Sequence, residues 1–142
     1  MTSSALPHAL RTPPRSLAPA LLVMGKGGVG KTTVAASLAV LDAETHGAAV
    51  LVEFGDGESG QRALAGSHKH VAHVVIKPAE ALQRGAAPLF GSATVAKLAL
   101  DNFAMRPLLL AAPAIRELAM LEAVRQVVAE HPGVRVVVDM PA

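Results

Sequence analysis

Gly25-Lys26-Gly27-Gly28-Val29-Gly30-Lys31-Thr32-Thr33 matches G-x-x-x-x-G-K-[ST] at every fixed position. A loop of this type wraps nucleotide phosphates. Its flanks suit the motif. Ala20-Leu21-Leu22-Val23-Met24 ahead of it is an apolar run of strand length. Val34-Ala35-Ala36-Ser37-Leu38-Ala39-Val40-Leu41 behind it is rich in good helix formers, which predicts a helix over about 31–46 that ends near Gly47. Glycines 25, 27, 28 and 30 let the backbone turn its N–H groups onto an anion. The start of the helix adds its positive dipole end. Lys31 is expected to contact the β- and γ-phosphates and the Thr32 hydroxyl to bind Mg²⁺, with Thr33 near the α-phosphate. The whole segment Gly25 to Thr33, Val29 included, is read as a nucleotide-binding loop.

Further along, Ala48 to Phe54 (Ala-Ala-Val-Leu-Val-Glu-Phe) is almost continuously apolar, as a parallel strand covered on both faces should be. Strand, helix and strand at this spacing form a βαβ unit. The acidic loop Gly55-Asp56-Gly57-Glu58-Ser59-Gly60-Gln61 then opens at the carboxyl end of that strand, where open α/β sheets bind ligands. His68, His70 and His73 invite a metal reading, but Lys69 interrupts them and no cysteine assists, so an exposed turn entering a strand is preferred. Val71 to Lys77 is a third strand, and Pro78 with Glu80 suits the first turn of a helix. The stretch from about 79 to 130 is expected to be mostly helical, broken at Pro107 and Pro113. Its clearest piece places Ile115, Leu118, Leu121, Val124 and Val128 on one face as a core stripe. Pro132-Gly133 ends it, and Val134 to Val138 is a β-branched run that leads into Asp139.

Composition sets the outer limits. The chain has 142 residues, 51% of them hydrophobic and 2% aromatic, so one domain packed by aliphatic side chains is expected. A net charge of +2 without a dense basic cluster, and few aromatic rings, give no nucleic-acid signal. With no cysteine, this chain can hold neither disulfides nor thiolate metal sites. No apolar run approaches the ~20 residues of a membrane span. Residues 1–19 hold Pro7, Pro13, Pro14 and Pro19 and read as a flexible tail, which also disfavours the amphipathic helix of a transit peptide.

The wording K-G-G-V-G-K-T-T, with Lys26 as a second lysine, resembles the deviant P-loop ATPases, a group with MinD, ParA and arsenite-pump ATPase branches. Gly-Lys-Gly-Gly-Val-Gly-Lys-Thr-Thr-Val-Ala-Ala, Lys77-Pro78-Ala79-Glu80-Ala81-Leu82 and Ala112-Pro113-Ala114-Ile115-Arg116-Glu117-Leu118 are most similar to the arsenite-pump (ArsA) and tail-anchored-protein targeting branch. That resemblance implies an α/β fold with a mostly parallel sheet flanked by helices. It implies a cytoplasmic ATPase that sandwiches ATP and Mg²⁺ in a homodimer, with Lys26 reaching the partner's nucleotide and a protein or membrane pump as further partner. The loop after the second strand would be the first switch, with Asp56 as candidate water-positioning acid and Glu53 and Glu58 as rivals. The family's Asp-Pro-Ala-His is absent there. The last strand resembles a Walker B strand, whose Asp139 would hold Mg²⁺ through a water. Asp139-Met140-Pro141-Ala142 resembles the opening of the second switch. Family members continue past this point, so the chain is expected to be the N-terminal part of such a domain, incomplete at its C-terminus, with an open apolar edge on the first strand. The alternatives are a MinD- or ParA-like positioning or partition ATPase, and a non-catalytic nucleotide-binding fragment.

Overall fold

The computed structural model describes residues 18–65, 69–82, 91–104, 107 and 113–142. The proline-rich stretch 1–17 and His68 lie outside the described residues, as do parts of the expected helical region. Within them the chain runs β1 (Ala20–Val23), α1 (Lys31–His46), β2 (Ala49–Phe54), α2 (Glu58–Ala63), β3 (Val71–Ile76), α3 (Ala93–Asp101), α4 (Pro113–Glu130) and β4 (Arg135–Asp139). The strands form a four-stranded sheet in the order β1-β4-β2-β3, and every neighbouring pair is parallel. This is the α/β architecture of a P-loop domain, with helices against a parallel sheet.

Side-chain alternation along the strands divides the core into two layers. Even-numbered Val50 and Val52 of β2 and Val136 and Val138 of β4 pack with Met120, Ala123, Val124 and Val127 of α4. Odd-numbered Ala49, Leu51 and Val137 pack instead with Ala35, Ala36, Ala39 and Ala43 of α1. Alanine supplies almost all of the α1 surface, so this helix approaches the sheet closely without any aromatic filler. Burying one of the valines or Leu51 contributes roughly 1.5–3 kcal/mol. The next odd positions on β2 and β4 are Glu53 and Asp139. The same parity therefore carries two carboxylates out of the sheet's carboxyl edge on the α1 side.

α1 ends as its sequence indicates, at Gly47, whose φ of +91° makes the left-handed cap and whose N–H reaches Ala43 O at 2.7 Å. The core stripe expected on the last helix needs correction. The buried face of α4 is Ala119, Met120, Ala123, Val124 and Val127, whereas Leu118 and Leu121 are 50% and 45% exposed. Large leucines dominate a sequence-based stripe, but here the small alanines admit the helix to the sheet and turn the leucines outward. The acidic loop after β2 also differs from expectation, since it winds into α2 at Glu58. On the opposite face of α4, Arg125 makes two 2.7 Å hydrogen bonds to Glu122 and draws its carboxyl down to about 2.

Among the described residues β1 is an edge strand paired with β4, and Leu22 within it and Met24 just after it are 38% and 71% exposed.

At the amino end of the sheet a buried ion cluster ties α1 to β4. Asp42, 5% exposed, meets His46 Nδ1 at 3.0 Å and Arg135 Nε at 3.2 Å. Asp42→Ala would leave Arg135 desolvated without its counter-charge and is expected to cost about 3 kcal/mol. A urea midpoint unchanged from that of the parent protein would refute this.

Candidate nucleotide-binding site

Gly30 sits at the start of α1 with φ of +85°, a left-handed conformation that strains any residue with a Cβ. That turn swings the loop into the helix without a capping side chain, and no acidic residue occupies the first turn. The first N–H groups of α1 thus have no side-chain acceptor and remain available to an anion. Lys31, the first helical residue, donates from Nζ to the Lys26 carbonyl at 3.0 Å across the loop. Lys26 is itself exposed, and its ammonium has no partner among the described residues. Val29 is exposed at the loop tip, and Thr33 is exposed one position beyond Thr32.

Because β1 and β4 are hydrogen-bonded neighbours, with Val23 opposite Asp139, the loop after β1 and the end of β4 meet at the same edge. The Thr32 hydroxyl donates to Asp139 Oδ2 at 2.5 Å, a contact between residues 107 positions apart. Asp139 is 8% exposed, and its other oxygen, Oδ1, is buried with no hydrogen-bond partner among the described residues. A buried carboxylate oxygen without a donor is costly. A hydrated cation at this edge would satisfy it, and the donor set (a hydroxyl and a carboxylate) fits Mg²⁺.

A cavity of about 270 Å³ opens there, lined by Lys31, Thr32, Asp139 and, from the β2 end, Glu53 and Asp56. Asp56 is exposed, and its Oδ1 accepts the Glu58 N–H at 3.0 Å, closing a turn that leads into α2. Glu58 is exposed. Glu53 is different. It is 5% exposed and accepts from Gly60 N–H at 2.8 Å and His73 Nε2 at 3.1 Å. The sequence held one usable sign of this, since Glu53 has the parity of Ala49 and Leu51 within an otherwise apolar strand. Of the three histidines, His73 lies in β3 beside Glu53 and His70 is exposed in the turn before β3.

The family model for anion-transporting ATPases matches residues 19–56, from the residue before β1 through the P-loop, α1 and β2 to Asp56. That span contains the loop geometry just described. Over these residues the chain is similar to the ArsA-type ATPase family. No curated protein and no solved structure matches the chain. The ArsA-type match stops at Asp56, short of α2, β3 and the Asp139 strand. Among the described residues, no helix is long and apolar enough to cross a membrane.

Proposed function

We propose that this protein binds ATP with Mg²⁺ on the Gly25–Thr33 loop and hydrolyses it as a dimeric switch ATPase of the ArsA type. The observation that carries the reading is the Thr32–Asp139 contact beside the unsatisfied Asp139 Oδ1, directly under the P-loop. Loop N–H groups and Lys31 would bind the phosphate oxygens, while Thr32 and Asp139 would hold the metal. When bound, Mg²⁺ supplies positive charge to the β- and γ-phosphate oxygens. Asp56, at the cavity rim with one oxygen engaged in its own turn, is the candidate to orient the attacking water.

Lys26 supports the dimeric part of this reading. Its exposed ammonium has no partner within the described residues, so it is free to reach a nucleotide held by a second copy. There it would offset charge that develops on the transferred phosphoryl group. Lys26→Ala should leave ATP affinity within about threefold of the parent and lower turnover by about 10²-fold or more. Equal losses of affinity and turnover would argue against action across an interface. A pump or targeted protein as further partner, and a cytoplasmic setting, belong to the same reading.

The direct test is titration of the purified protein with ATP by calorimetry, with Mg²⁺ and again with EDTA. Binding strengthened by Mg²⁺, with phosphate release, supports the reading. Absence of binding in both conditions overturns it.

A further inference from the structure

Glu53 is the acid that the P-loop chemistry leaves unassigned. Register places it opposite Asp139, and both line the same cavity with Lys31 and Thr32. Adjacent strands lie about 4.8 Å apart, so two carboxylates share one edge of the pocket. Such a pair gains from a cation between them. Asp139 already supplies a buried oxygen without a partner, which points independently to a ligand at this position.

The two oxygens of Glu53 are in different situations. Oε2 accepts both Gly60 N–H and His73 Nε2, at 2.8 and 3.1 Å. Oε1 has no partner among the described residues. The segment that Oε2 holds is built around this contact. A Cβ at Gly60 would fall on Oε2 itself and within 2.6 Å of His73 Nε2. Upstream, Gly55 N–H bonds to Ile76 O at 3.2 Å, and Asp56 Oδ1 accepts the Glu58 N–H in a turn at the cavity rim. Glu53 ties the pocket edge beside Asp139 to Gly60, in the middle of α2.

We propose that Glu53 is a positioning residue: Oε2 fixes the 55–63 segment that carries Asp56, while Oε1 faces the cation position beside Asp139, so metal–nucleotide binding and order in that segment are coupled. This rests on the reading of the cavity as an ATP·Mg²⁺ site. A cation beside Asp139 restrains the Glu53 carboxylate, and the same carboxylate restrains Gly60. Glu53→Gln separates the two roles. An amide oxygen in the place of Oε2 still accepts the Gly60 N–H, but an NH₂ group in the place of Oε1 offers a cation nothing.

The test is hydrogen–deuterium exchange over residues 55–64, alone and with a non-hydrolysable ATP analogue plus Mg²⁺, alongside analogue affinity with and without Mg²⁺. In the parent protein the Mg²⁺ complex should slow exchange at 58–64. Glu53→Ala should speed exchange there by about tenfold or more even without nucleotide. Glu53→Gln should keep the nucleotide-free exchange within about threefold of the parent. It should lose the protection conferred by the complex and about tenfold of the Mg²⁺-dependent gain in affinity. Affinity measured in EDTA should change little. A parent protein that binds the complex without protecting 58–64, or a Glu53→Gln variant that gains protection and Mg²⁺-dependent affinity like the parent, overturns the coupling alone. A parent protein that binds no analogue under either condition overturns the ATP reading, and the coupling with it.

Discussion

Lys31→Ala is expected to lower ATP turnover about 10²–10³-fold, the scale of removing one preorganised charge from a developing oxyanion. The side chain is poised for this. Lys31 opens α1, and its Nζ bonds the Lys26 carbonyl at 3.0 Å, inside the curl of the loop. Arriving phosphate oxygens would exchange a neutral acceptor for a charged one, a hydrogen bond roughly twice as strong. Truncation at Lys31 opens no hole in the core, since its only bond is an exposed one, so the thermal midpoint should stay within about 2 °C of the parent. Lys31→Arg should fail to restore turnover, because a planar fork does not replace a compact ammonium in a tight loop. Phosphate release at saturating ATP is the measurement. Turnover equal to that of the parent would refute the role given to Lys31.

Gly57→Ala is the second large effect expected, and here the loss is in stability, about 3 kcal/mol. Gly57 has φ of +84°, where a Cβ costs roughly 1–2 kcal/mol. Its Cβ would also lie 2.5 Å from Val75 Cγ2 on β3. Overpacking of this kind adds roughly 1–3 kcal/mol. The two costs separate in a double-mutant cycle, because Val75→Ala removes the clash and leaves the backbone strain. Gly57→Ala/Val75→Ala should therefore lose about 1 kcal/mol or more less than the sum of the single variants. Strict additivity in urea unfolding would show that the close approach to β3 contributes nothing.

Much of the architecture was legible because it is local. The apolar run of β2 indicated a strand covered on both faces, and all but its last residue are buried. The α1 boundaries could be read from a glycine motif at one end and Gly47 at the other. The last helix was visible as a helix, but its buried side was not. A stripe drawn through Leu118 and Leu121 assumes that the largest apolar residues face inward, whereas contact with a flat valine sheet favours Ala119 and Ala123. α2 escaped notice because six residues with Ser59 and Gly60 at their centre are too few to show a helical period. The Asp56–Glu58 turn, the Gly60 contact with Glu53 and the turn at Gly57 against Val75 hold it in place instead.

By itself, the sequence determined the α/β class, the P-loop and its likeness to ArsA-type ATPases over residues 19–56, because loop chemistry and strand and helix periodicity are written in contiguous residues. Tertiary structure decided what meets at the pocket. Whether Thr32 reaches Asp139, and whether Glu53 stands beside it, depends on β4 inserting between β1 and β2. Strand order and register are non-local, set by which faces α1 and α4 can cover together. No single segment encodes them.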